Sequence, residues 1–67
     1  MWIQTIAPHM CIVNSAHISE IGIRYKGIGK YAVVAVVAGS DHIIEIAPTE
    51  KDAITTVEHY WGELHST

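Results

Sequence analysis

Alternating apolar and polar residues predict extended structure at the start of the chain. Residues 2–6 (WIQTI) alternate, with Trp2, Gln4 and Ile6 on one side and Ile3 and Thr5 on the other. Pro8 ends this strand, because proline cannot donate to a β-ladder. Residues 11–14 (CIVN) form a second, short extended piece before a turn.

The longest regular alternation covers residues 17–26 (HISEIGIRYK) and predicts a half-buried strand. One face carries Ile21, Ile23 and Tyr25, and the other carries Glu20, Gly22 and Arg24. The following KGIGK, residues 26–30, reads as a hairpin loop that uses the freedom of glycine at positive φ.

Residues 31–38 (YAVVAVVA) are apolar at every position, which is unusual in so short a chain. A strand there points apolar side chains to both faces of its sheet. A tight turn is expected at GSD, from Gly39 to Asp41. Residues 42–47 (HIIEIA) then predict a further strand, with Ile44 and Ile46 on one face and Ile43, Glu45 and Ala47 on the other.

The period changes to that of a helix after Pro48. Thr49 is the expected N-cap, with Asp52 three residues later in place of the usual Glu of a capping box. Gly62 is either the C-terminal cap or a weak point inside the helix. The predicted core stripe contains Ala53, Ile54, Val57, Tyr60, Trp61 and Leu64.

These elements predict an α+β fold, an antiparallel β-meander of about four strands with one C-terminal amphipathic helix packed on one face. Strands about 4.8 Å apart give a sheet roughly 15–20 Å wide, and a helix about 10 Å across covers one face of it. The second face of residues 31–38 therefore has no expected cover within the chain. A second copy of the chain is the favoured cover, and the N-terminal segment is the alternative.

Length and composition restrict the class of protein. The 67 residues form a single small domain, and domains of this size are often stabilised by oligomerisation. One cysteine excludes an internal disulfide, and with no signal peptide or membrane-length apolar run the chain is expected to be cytoplasmic. The net charge of −3 makes nucleic acid an unlikely partner and argues against a membrane.

Two groups of residues are candidates for chemical sites. His9, Cys11 and His17, with His42 or His59, are of the types that ligate zinc or form a Cys–His nucleophile. Their spacing fits no familiar zinc motif, and no third orienting residue is evident. Glu20 and Glu45 are a candidate carboxylate pair. We therefore expect no catalytic residue, no metal site, no cofactor and no enzyme activity.

The hairpin from Arg24 to Lys30 is the remaining candidate. It places Arg24, Lys26 and Lys30 beside Tyr25 and Tyr31, and basic side chains with aromatics bind single-stranded nucleic acid. GIGK lacks the spacing of a phosphate-binding loop, and a strand follows it instead of a helix. A solvated hairpin tip is the simpler interpretation.

A resemblance rests on MWIQT, IVN, ISEIGI, YAVVAVV and the closing TEKDA segment, in that order. This order resembles small uncharacterised proteins of Gram-positive bacteria and their phages that begin Met-Trp-Ile. It is also similar in shape to the C-terminal half of a pleckstrin-homology-like fold. Neither resemblance implies a site residue, and the usual Gly/Asn turn is replaced here by APHMC.

The sequence therefore favours a non-enzymatic, self-associating protein-interaction module, most simply a homodimer, with another protein as a possible partner. The alternative is a small nucleic-acid-binding or regulatory protein that uses the Arg24–Lys30 hairpin.

Overall fold

Strands and helix follow one another in the predicted order in the computed structural model, which describes residues 2–64. The antiparallel α+β fold with its C-terminal helix is confirmed, with CIVN as a full strand. The elements are β1 (Trp2–Thr5), β2 (Cys11–Asn14), a 3₁₀ turn (Ser15–His17), β3 (Ile18–Gly27), β4 (Lys30–Val37), β5 (Ser40–Ala47) and α1 (Glu50–Leu64).

The strands form a two-stranded sheet, β1–β2, and a three-stranded sheet with β4 between β3 and β5. Backbone hydrogen bonds join the two sheets at one point. The Ile6 amide donates to the Ile43 carbonyl at 2.7 Å, and the Ile43 amide donates to the Ala7 carbonyl at 2.8 Å. The N-terminal hairpin therefore attaches to the side of β5 that faces away from β4.

Both hairpin turns of the larger sheet use positive φ. Gly29 has φ 73°, in agreement with the predicted glycine loop. The next turn consists of Ala38 and Gly39, with φ 52° and 81°, as in a type I′ turn. The expectation of a turn from Gly39 to Asp41 is therefore wrong, because Asp41 already pairs with Val36 in β5.

The core lies between α1 and one face of the sheet. Val33 and Ala35 of β4 are fully buried there, against Ala53 of the helix. Ile3 of β1 joins the same cluster. The N-terminal hairpin thus contributes to the helix side of the core, and we call this side the inner face of the sheet.

A bulge in β5 reverses the predicted faces of its isoleucines. Ile43 pairs with Val34 and Ile46 pairs with Ala32, so both lie on the outer face. Ile44 is the extra residue and is buried in the core, whereas Ile46 is 50% exposed. The prediction that Ile44 and Ile46 share a face is wrong, since simple alternation fails across a bulge.

Helix α1 begins as predicted but buries a narrower stripe. The Asp52 amide donates to Thr49 Oγ1 at 3.2 Å, which confirms the N-cap. Ala53 is buried, and Val57 and Tyr60 pack partly against the core. Ile54 and Trp61 were expected in the core but are 43% and 55% exposed.

The end of the helix settles one further alternative. Helix α1 continues through Gly62 to Leu64, so Gly62 is an internal helical residue and not the C-terminal cap. The side chain of Leu64, predicted in the stripe, lies outside the described part of the chain.

Candidate functional site

The centre of the outer face of β4 is covered within the single chain, while Val36 at its end is half-buried. Ala32 is 0% exposed and Val34 is 1% exposed, although both point away from the helix. The expectation that this face lacks cover within the chain is therefore wrong. The N-terminal hairpin contributes Ile3 to the core on the other side of the sheet.

Arg24 provides cover for this face. Its backbone pairs with Ala32, yet its Nε donates to Asp41 Oδ2 at 3.2 Å, and Asp41 pairs with Val36. The Arg24–Asp41 ion pair thus spans β4 near the position of Val34, while Arg24 Nη1 donates to the Ile23 carbonyl of its own strand at 3.3 Å. Arginine commonly lays its aliphatic stem along apolar surface in this way and keeps its charge in water.

Two neighbours on β3 complete the arrangement around Arg24. Glu20 Oε2 lies 3.5 Å from Arg24 Nη2, so two carboxylates flank one guanidinium. Gly22 lies between them on the outer face, and a Cβ at this position would come within 3.1 Å of Arg24 Nη1. The absence of a side chain at Gly22 leaves room for the arginine.

The candidate nucleic-acid hairpin has less free positive charge than the sequence suggested. Arg24 is occupied by Asp41 and Glu20, which leaves Lys26 and Lys30 exposed on either side of the tip. At the tip itself Ile28 is 95% exposed. Two separated lysines form a weak electrostatic surface for a polyanion.

The candidate cysteine site contains a hydrogen-bonded thiol. Thr5 is fully buried, and its Oγ1 donates to the His9 carbonyl at 2.8 Å and lies 3.1 Å from Cys11 Sγ. Within residues 2–64, no three His, Cys, Asp or Glu side chains are grouped so that they could hold a metal. Thr5, for which the sequence predicted no role, thus joins the two ends of the β1–β2 loop.

The candidate carboxylate pair is not brought together. Glu20 pairs with Val36 on the outer face, whereas Glu45 pairs with Val33 on the inner face. Glu45 instead influences the ionisation of Tyr60 in α1. Burial raises the pKa of the Tyr60 phenol above its ordinary value of 10.0, and the Glu45 carboxylate raises it further.

A cleft of about 440 Å³ lies where the start of β3 meets the last turns of α1. Trp61 forms one side of it, and Ile18, Ser19 and Ile21 line the other. Glu20 is the one ionisable residue among those that line it. Trp61 is exposed beside this cleft, a position that the helical pattern of the sequence could not reveal.

The cleft adjoins a free sheet edge. β3 is ten residues long, pairs with β4 on one side, and has no strand on its other side among the residues that the structure describes. Irregular pairing at Ser19 and Lys26 interrupts its ladder near both ends. Residues 20–25 between them pair regularly with β4, so this segment presents an uninterrupted free edge.

Large apolar side chains also remain exposed on the outer surface. Trp2 and Ile12, 70% and 64% exposed, lie on the outer side of the N-terminal hairpin. Ile46 is 50% exposed and shares the outer face of β5 with Ile43. Ile6 is 45% exposed, and its amide donates to the Ile43 carbonyl, which places it beside β5. These exposed residues extend from the hairpin to β5.

Comparison with protein-family models, curated proteins and solved structures finds no match to this chain. The resemblance to proteins of Gram-positive bacteria and their phages therefore remains a prediction. Within residues 2–64, no helix has the length and apolar character needed to cross a membrane.

Proposed function

We propose that this chain is a non-enzymatic, self-associating interaction module, an accessory protein whose further ligand is another protein. The observation that carries the proposal is the apolar surface left exposed on one copy. Trp2, Ile12 and Ile46 are each at least half exposed on the outer side of the sheets, and Tyr25 and Trp61 are exposed near β3.

The energetic argument depends on the size of the chain. Burial of one such side chain is worth about 1.5–3 kcal/mol, while a domain of this length has a total stability of only about 3–10 kcal/mol. Scattered exposed apolar residues are ordinary, but groups of them are typical of interaction sites. Association therefore adds stability on the scale of the whole fold.

The cleft supports a binding role over a catalytic one. An enzyme site needs several convergent polar groups around a reacting centre. Here the lining offers Glu20 with two serines, and Glu20 is already paired with Arg24. Apolar walls next to a free strand are instead suited to another polypeptide.

Sedimentation equilibrium over a rising concentration series tests the proposal. We expect the average mass to rise from 7.4 kDa and level off at a small whole multiple of it. A plateau distinguishes specific association from progressive aggregation. A mass that stays at 7.4 kDa up to millimolar concentration would overturn self-association.

A further inference from the structure

We infer that the free edge of β3 pairs with β3 of a second copy, antiparallel and about a two-fold axis at Gly22. This inference rests on the proposed self-association and assigns it the edge of β3 near Tyr25 and Trp61, whereas Trp2, Ile12 and Ile46 lie on the β5 side of the fold and stay exposed. The dimer would have one continuous sheet in which the two β3 strands are central. Two-fold dimers use the same surface on both subunits, so β3 must be complementary to itself.

The charges of β3 meet this requirement. With Gly22 on the axis, Glu20 lies opposite the partner's Arg24, and Arg24 lies opposite the partner's Glu20. Opposite charges directly across two antiparallel strands stabilise the pairing, and like charges destabilise it. Glu20 and Arg24 are the charged residues of the regular segment, and this register pairs each of them with its complement.

Neighbouring registers match less well. With Ile23 on the axis, Arg24 faces Gly22 of the partner subunit, and Glu20 reaches Lys26 only where the β3–β4 ladder is irregular. With Ile21 on the axis, Glu20 faces the partner's Gly22 and no charge is paired. The Gly22 register also lies within the regular segment, where an uninterrupted free edge is available.

The inner face is complementary in the same register. Ile21 lies opposite the partner's Ile23, which extends the apolar core across the axis. Tyr25 is 62% exposed on this face and lies at the end of the regular segment, toward the start of the partner's β3. The partner's cleft opens at that end of β3, so the aromatic ring of one copy lies toward the cleft of the other.

The outer face has room at the axis. Gly22 carries no side chain, so two copies can approach there without displacing the arginine that lies beside each glycine. A guanidinium has five N–H donors, enough to bind the partner's Glu20 while it keeps Asp41. Two arginines, each held by carboxylates of both subunits, would then cover the centre of the joined sheet.

Charge reversal tests the register. Glu20→Arg and Arg24→Glu each place like charges opposite one another twice per dimer, and each should weaken dimerisation by about tenfold or more, as expected for about 1.4 kcal/mol. The double variant restores opposite charges and should recover most of the affinity. Lys26→Glu is the matched control, with the same charge change on the same strand but no charged residue opposite it.

A cross-linking measurement does not depend on how well these variants fold. In a Cys11→Ser background, Gly22→Cys places two thiols next to each other at the axis, and the added Cβ meets only the flexible ends of the Arg24 and Glu20 side chains, at 3.1 and 3.5 Å. A short bis-maleimide should join Gly22→Cys subunits rapidly and join Ile28→Cys subunits slowly. Ile28 is the control because it is almost fully exposed at a hairpin tip.

The outcomes separate the inference from the proposed function. A wild-type protein that remains monomeric overturns both. A wild-type dimer that cross-links no faster at Gly22→Cys than at Ile28→Cys, or that Lys26→Glu weakens as much as Arg24→Glu does, overturns the β3 register and leaves self-association standing. Fast cross-linking at Gly22→Cys with rescue by the double charge variant supports it.

Discussion

Arg24 and Asp41 meet across the central strand of the sheet, with Nε and Oδ2 3.2 Å apart. The contact joins β3 to β5 over a strand whose outward Val34 is almost completely buried. Both charged side chains are themselves 40% and 47% exposed. The ion pair is therefore screened by water, and its larger contribution comes from the apolar stem that it holds in place.

Substitutions at Arg24 separate the stem from the charge. Arg24→Met keeps most of the stem and should lower the free energy of unfolding by less than about 0.5 kcal/mol, as for an exposed ion pair. Arg24→Ala also uncovers Val34 and should cost about 1–1.5 kcal/mol more. Urea unfolding in dilute solution measures both. Equal losses in the two variants would show that the charge, and not the stem, is what matters.

Lysine substitutions on β4 test the assignment of its two faces. Val33 is buried between sheet and helix, so the charge of Val33→Lys cannot reach water and should unfold the protein. Val34 lies on the outer face beneath Arg24, Asp41 and Glu20, which are themselves partly exposed. A lysine there can extend outward to water and to the two carboxylates, so Val34→Lys should stay folded. Circular dichroism distinguishes the two. If Val34→Lys unfolds and Val33→Lys stays folded, the assignment of the two faces is wrong.

Much of this architecture could be predicted because alternation and helical spacing are local. The shared side of Ile3 and Thr5, the half-buried β3 and the Thr49 cap all follow from patterns within a few residues. The β5 bulge could not be predicted in this way, since one extra residue shifts every later side chain to the opposite face.

The cover over Val34 could not be predicted, because it depends on pairing between strands that are distant in the sequence. Arg24 and Asp41 are far apart in sequence, and only the register of three strands places them together. The single helix was correctly expected to cover one face. The inference of an open second face failed because it counted whole elements and left out the length of one arginine side chain.

The turn between β4 and β5 is a site where the sequence is not optimal. Ala38 has φ 52°, and the left-handed region costs a residue with a Cβ about 1–2 kcal/mol. Asparagine tolerates this region and is favoured in type I′ turns. Ala38→Asn should therefore raise the free energy of unfolding by about 0.5–1 kcal/mol.

Ala38→Val is the opposing control. Its β-branched side chain is less tolerant of positive φ, so this variant should lower the free energy of unfolding in the same urea titration. If asparagine destabilises the protein and valine does not, the positive φ of the turn is contradicted.

Tyr60 predicts a loss of stability at alkaline pH. Burial and then Glu45 raise its pKa in the folded protein above the unfolded value of 10.0. The resulting stability is fully present below that value and is lost as the pH rises through the folded pKa. Tyr60→Phe should lose less stability than the wild type over this range.

An absorbance titration of the tyrosines measures the same effect directly. Tyr60→Phe should remove a component that ionises above pH 10.0, and Glu45→Gln should move that component to lower pH. If the component that Tyr60→Phe removes ionises at or below pH 10.0, the raised pKa of Tyr60 is contradicted.

Hydrogen exchange along β3 tests the central claim, that this chain self-associates through its free edge, most directly. In one copy alone, the backbone amides of residues 20–25 that point away from β4 have no strand to bind and should exchange quickly. Pairing with a second copy should protect those amides as concentration rises, while β2, whose four residues also form an edge, stays unchanged. Fast exchange of the outward amides at every concentration, in a protein whose mass shows a dimer, would contradict edge pairing.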